Sequence, residues 1–157
     1  MNNTLATTCG AVLAALLIQA AQAADTMSAP PALQLAPARV QIAARNWPAA
    51  IAELERVKDT RSADWNNLMG YSLRKGPNPD YAAAERYYSA ALRIDPLHRG
   101  ALEYSGELYL ILDQLPQAED RQARLARICS TPCEELDDLK AAIERYKAAG
   151  NKYVPQP

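Results

Sequence analysis

Two cysteines four residues apart, Cys129 and Cys133, are the groups in this chain best suited to chemistry. Ser130, Thr131 and Pro132 separate them, and Glu134, Glu135, Asp137 and Asp138 follow. Such a pair has three uses: a redox dithiol, a soft-metal clip or a structural disulfide. A redox dithiol usually sits as C-x-x-C on a thioredoxin-like sheet, and no stretch here alternates with the period of two that a strand needs. A helix N-terminus at Cys133 would lower its thiol pKa, but Glu134 and Glu135 oppose that. Two thiolates can hold Cu(I), and copper-delivery proteins of a different fold use C-x-x-x-C. A structural zinc site wants four ligands. The only histidine, His98, is far away in sequence and reads as exposed, and Met69 reads as core. The residues therefore favour a disulfide between Cys129 and Cys133, with redox or copper accessory work as the alternative.

The remaining chemistry is sparse. Glu103 and Glu107 are four apart on one helix face, but no cation or pocket is visible beside them to make them acid and base. A Gly-rich phosphate loop, a nucleophile elbow and a zinc-protease helix are all missing from the sequence. We expect no enzyme, no cofactor and no metal site. With 17 Lys and Arg against 18 Asp and Glu, the charge gives no electrostatic case for nucleic acid or an anionic membrane.

Residues 1–23 read as a secretory signal. Gly10 to Ala23 is an apolar run broken only by Gln19 and Gln22, and it ends in the small-x-small pattern Ala21-Gln22-Ala23. The run is shorter than the about 20 residues of a membrane span. Cleavage after Ala23 would place the mature chain in the periplasm, with no integral span. Cys9 would leave with the signal, and the even pair that remains suits an oxidising compartment. The n-region carries no Lys or Arg.

The elements that must hold these residues all read as helices in one domain, 33–150. A Pro- and Ala-rich tether, 24–32, precedes it and a tail, 151–157, follows. The expected helices are 33–45, 47–57, 63–75, 80–94, 97–112, 116–128 and 132–148. Pro77 and Pro79 break the second pair, Asp95-Pro96 ends it, and Gly150 stops the last helix. At the last start, Thr131 is expected as N-cap, Pro132 as the first helical residue and Glu134 as the partner in a capping box.

The pairs repeat with a period of about 34 residues. Gly70 aligns with Gly106, Leu73 with Tyr109, Tyr81 with Leu115 and Ala84 with Ala118, while Trp47 and Ala50 supply the last two positions in an earlier segment. This pattern resembles the tetratricopeptide repeat family. Segment 64–96 fits nearly throughout, with Gly70, Ala84, Tyr88, Ala91 and Pro96. Segment 99–128 keeps Gly106, Tyr109 and Ala118 and lacks the later aromatic and closing proline. Segment 33–62 has Ala38 where glycine is usual.

The resemblance implies an all-α, right-handed solenoid of about three helix pairs with a capping helix. The cap would bury Leu136, Leu139, Ile143 and Tyr146 and expose Asp137, Asp138, Lys140, Glu144 and Lys147. It also implies a concave groove lined by the first helix of each pair. That groove would expose Arg39 and Ile42, then Asp64, Asn67, Tyr71, Arg74 and Lys75, then Glu103, Glu107, Leu110 and Ile111. Asn67, Arg74 and Lys75 only partly echo the set with which some family members grip a terminal carboxylate, so that specificity is not carried over.

The expected function is a non-enzymatic scaffold of the bacterial envelope, binding a protein or peptide partner in the groove. A monomer or weak homo-oligomer is expected, with Leu33, Leu35 and Ile42 as the surface for self-association.

Overall fold

The computed structural model describes residues 31–130 and 132–155, all helix and connecting turns with no strand among them. The expected signal sequence and its expected cleavage site, Cys9, most of the expected tether and the expected Thr131 cap lie outside the described residues. The helices are α1 (Pro31–Gln34), α2 (Ala36–Ala43), α3 (Trp47–Val57), α4 (Ala63–Lys75), α5 (Tyr81–Ile94), α6 (Arg99–Ile111), α7 (Leu115–Ile128) and α8 (Glu134–Ala148). None is long and apolar enough to cross a membrane.

Short polar side chains start the middle helices. Ser62 Oγ accepts from Trp65 N at 3.2 Å, and Asp80 Oδ1 accepts from Ala83 N at 2.8 Å. Each satisfies an amide that the first turn leaves without a helical partner. Pro48 and Pro116 stand in the first turns of α3 and α7, where no amide is needed. In α8, Glu134, Glu135 and Asp137 fill the first turn and Arg145 and Lys147 the last, matching the helix dipole.

Helices adjacent in sequence are adjacent in space. The fullest contacts join α4 to α5, α6 to α7 and α2 to α3; thinner ones join α3 to α4 and α5 to α6, and α8 rests on both α6 and α7. The core follows this order. Leu35, Ala38, Leu54, Trp65, Leu68 and Met69 fill its first part, and Ala84, Tyr88 and Leu108 its middle. Leu102, Leu110, Leu125, Leu139, Ile143 and Tyr146 are among those filling its last part. The expected inner stripe of α8 is thus buried, with Leu136 only partly so.

Two local expectations are corrected. Helix 33–45 is broken at Leu35, whose side chain turns into the core at 2 % exposure. Leu35 therefore leaves the expected self-association surface, and Ile42 packs partly against the same core. The last helix begins at Glu134, not at Pro132. Its N-cap is Cys133, extended at φ −142°, with no side-chain cap bond.

Gly70 and Gly106 are where helices come closest. A Cβ on Gly70 would meet the Tyr88 ring at 2.8 Å and the Ala84 carbonyl oxygen at 3.1 Å, both in its pair partner α5. A Cβ on Gly106 would meet the Leu139 methyls of α8 at 2.6 and 2.7 Å. Gly106 thus serves the approach of α8 more than that of α7. Gly106→Leu is expected to lose ~1–3 kcal/mol or more by overpacking. Gly70→Ala should cost more than Gly106→Ala, because a buried ring and a backbone carbonyl yield less than two methyls. Urea unfolding of the three variants checks both statements.

Candidate binding surface

The expected groove residues lie on α2, α4 and α6, and the structure divides them sharply by depth. Arg39 and Lys75 are exposed, and Asp64, Tyr71, Glu107, Ile42 and Ile111 are half-buried. Asn67, Arg74, Glu103 and Leu110 are buried, at 6, 4, 7 and 1 % exposure. The expectation that these four are exposed is corrected. Tyr71 and Tyr104 rings cover Arg74, while Leu110 shares the apolar core with Ala142, Ile143 and Tyr146 of α8.

The upper part of this face is a polar chain across three helices. Arg39 Nη2 on α2 donates to Asp64 Oδ2 on α4 at 2.9 Å. The other carboxylate oxygen of Asp64 stands 2.9 Å from His98 Nε2. His98 Nδ1 accepts from Ala101 N at 3.1 Å and so caps α6. Accepting there leaves the ring proton on Nε2, facing Asp64. His98, expected from the sequence to be exposed, is half-buried, and only the fold brings Asp64 to it. The Arg39–Asp64 pair is about half exposed on both sides and contributes on the order of 0–1 kcal/mol.

The centre is aromatic. Trp47 meets Tyr71 edge-on at 5.8 Å between centroids, and Tyr71 lies 4.5 Å from Tyr104 at 38°. The Arg74 guanidinium carbon is 5.5 Å from the Tyr71 centroid and 5.7 Å from that of Tyr104, within cation–π range of both. Arg74 Nη2 stands 2.7 Å from Glu107 Oε2. This is a close ion pair whose angle is off the line of a hydrogen bond. Burial alone would pull the Arg74 pKa down; Tyr88 and Glu107 more than offset it, and the net shift is upward. Asn67 Oδ1, Arg74 Nε and the Tyr88 hydroxyl are buried without a protein hydrogen-bond partner among the described residues. Tyr88 nevertheless lies close enough to Arg74 to raise its pKa, so the cluster is held by charge and ring contacts more than by aligned hydrogen bonds.

Glu103 sits beside the pair. Burial, then the carboxylates of Glu107 and Asp138, push its pKa up to about 9, against the pull of Arg74. At neutral pH Glu103 therefore holds a proton, and Glu107 is engaged by Arg74. The open charges within reach of Tyr71 and Lys75 are then basic. Arg45 and Arg74 lower the Lys75 pKa further after burial has done so. Glu135 and Asp138 crowd the Glu103 side instead. The face is thus basic near the C-terminal ends of α2 and α4 and acidic near the start of α8.

The Cys129 and Cys133 sulfurs are at bonding distance, 2.04 Å, with Cα atoms 5.8 Å apart. The pair joins the C-cap of α7 to the N-cap of α8. As a disulfide it offers no thiolate for metal or redox attack. Its removal by Cys129→Ser with Cys133→Ser is expected to cost at most ~2 kcal/mol, because the loop closed is so small. Guanidinium unfolding of parent and variant measures this directly. A second concavity of about 400 Å³ lies elsewhere, lined by Glu55, Lys58, Thr60, Trp65, Met69 and Tyr87. Its aromatic floor, Trp65 edge-on to Tyr87, joins α4 to α5 and had no signature in the sequence.

No known protein family's model matches this chain, and no curated protein matches it.

Proposed function

We propose that this chain is an exported, non-enzymatic binding scaffold that holds a protein or peptide partner on the face formed by α2, α4 and α6. In this reading the helix pairs α2/α3, α4/α5 and α6/α7 are tetratricopeptide-like units of a right-handed solenoid, and α8 caps it. The like ends of α2 and α6 support the unit assignment, although α4 ends differently, at Gly76 with φ −62°. Arg45 and Asp113 are both left-handed, at φ 55° and 57°. The next amide, of Asn46 or Gln114, then returns to a carbonyl five residues back, Gln41 or Tyr109.

The observation that carries the binding role is the half-buried stack of Trp47, Tyr71 and Tyr104 over Arg74. Aromatic and arginine side chains of this kind dominate binding hot spots. They sit here on a polar cluster that brings together no nucleophile and base. The Cys129–Cys133 pair and the apolar run before Ala23 support an oxidising, exported setting.

Affinity capture from envelope extracts tests the reading. The parent and an outer-face Arg86→Glu variant are expected to retain the same partner. A Tyr71→Ser, Lys75→Glu variant is expected to lose it while keeping its circular dichroism. Equal capture by all three would remove the reading. Intact mass of the exported chain, with and without reductant, tests cleavage after Ala23 and the disulfide.

A further inference from the structure

The segment after α8 lies against the binding face, and its path is set by the same turn that ends α2 and α6. Gly150 is left-handed at φ 72°, as Arg45 and Asp113 are. Asn151 N bonds to Tyr146 O, five residues back, at 3.0 Å. After the other two turns the chain enters a helix, α3 or α7. Here a second left-handed residue follows, Asn151 at φ 60°, where Asn46 and Gln114 have φ −89° and −109°. The chain is redirected into a non-helical segment that sets Tyr153 and Val154 against Glu107, Leu110, Ala142, Arg145 and Tyr146.

Glu107 is half-buried on this face and Leu110 lies beneath it, so Asn151–Pro155 covers part of the surface a partner would need. Its hold is slight. Tyr153 and Val154 remain 37 and 45 % exposed. Beyond Asn151, no hydrogen bond ties the segment to the described residues. A segment with so few contacts opens at low free energy, yet a short tether keeps it at a millimolar effective concentration.

We infer that Asn151–Pro155 is a displaceable occupant of the α6/α8 end of the groove, and that this end takes an extended aromatic–aliphatic–proline peptide from a partner. The inference rests on the reading of this face as a peptide-binding surface. The apolar floor of Leu110, Ala142 and Tyr146 receives the aromatic and aliphatic side chains, and Arg145 and Glu107 flank the peptide backbone. Tyr153 and Val154, with Pro155 following them in the chain, show the chemistry that fits.

The probe is a labelled synthetic peptide with the tail sequence, Asn-Lys-Tyr-Val-Pro-Gln-Pro. It is titrated by fluorescence anisotropy into the full chain and into the full chain carrying Tyr153→Ser and Val154→Ser. The doubly substituted chain, freed of its competitor, is expected to bind about ten-fold more tightly, the ratio for an internal competitor at roughly 1 mM whose own Kd is roughly 0.1 mM. Tyr146 ring signals should shift on binding. Equal affinity for both chains, or no binding to the variant at low-millimolar peptide, would overturn the inference. If that happens while Tyr71 and Lys75 remain necessary for partner capture, the scaffold reading stands and only the tail's role is lost.

Discussion

Glu107→Ala is expected to lower stability by ~3–5 kcal/mol, the cost of leaving a buried cation without its counter-ion. The Arg74 side chain is 2 % exposed and that of Glu107 is 17 % exposed. Removing Glu107 strands the guanidinium, because the rings of Tyr71 and Tyr104 offer only their faces and the nearby Tyr88 hydroxyl is neutral and makes no aligned hydrogen bond to it. Removing the cation instead leaves a carboxylate that still reaches water. Arg74→Met should therefore cost less than Glu107→Ala. The double variant Arg74→Met, Glu107→Leu should recover most of the loss, since well-packed apolar residues often replace a buried pair without penalty. Thermal unfolding of the four proteins measures these losses. Equal losses for both single variants would mean that the pair is not buried as described.

Glu103 gives the second large effect, and it depends on pH. Its pKa rises from an ordinary 4.5 to about 9 on folding. The folded state therefore binds the extra proton between those values, and stability from this group falls as pH rises through them. The loss runs at about 1.4 kcal/mol for each pH unit of the window, so it amounts to several kcal/mol by pH 9. Glu103→Gln removes the ionisation and keeps the shape. The variant should match the parent near pH 4.5, exceed it clearly at pH 8, and lose the slope between them. Chemical unfolding at four pH values decides it. A parent whose stability is flat from pH 5 to 8, or a glutamine variant weaker at pH 8, would show Glu103 to be ionised in the fold. Burial also raises the phenols of Tyr88 and Tyr104, so their ionisation opposes folding only at strongly alkaline pH.

Much of the architecture was legible because it rests on local signals. Ser62 and Asp80 mark helix starts, Pro77 and Pro79 mark a break, and Gly150 marks an end. The apolar stripe of α8 was legible for the same reason: helical spacing alone assigns Leu139, Ile143 and Tyr146 to one side. The alignment of Gly70 with Gly106 located two close approaches, although it did not say that Leu139 of α8 lies over the second.

The depth of the site was not legible. Spacing from a glycine tells which face of α4 or α6 a residue occupies, not what lies above it. Arg74 is covered by rings from two helices, Leu110 by α8 and the tail, and His98 is engaged by Asp64, thirty-four positions away. Each of these depends on contacts between elements distant in sequence. The start of α8 failed for a different reason. Thr-Pro-x-Glu is a sound local signal for a helix start at Pro132, but Cys133 is tied to Cys129 and stays extended, so the helix begins one residue later than the cysteine.

The central claim is that the face of α2, α4 and α6 contacts a partner in the cell. Site-specific photo-crosslinking tests it most directly. A photoreactive amino acid is placed at exposed Lys75, and a control at exposed Arg86 on the outer helix α5. The account predicts a discrete adduct from position 75, absent from position 86 and diminished by Tyr71→Ser. Adducts of equal yield from both positions, or from position 86 alone, would contradict it.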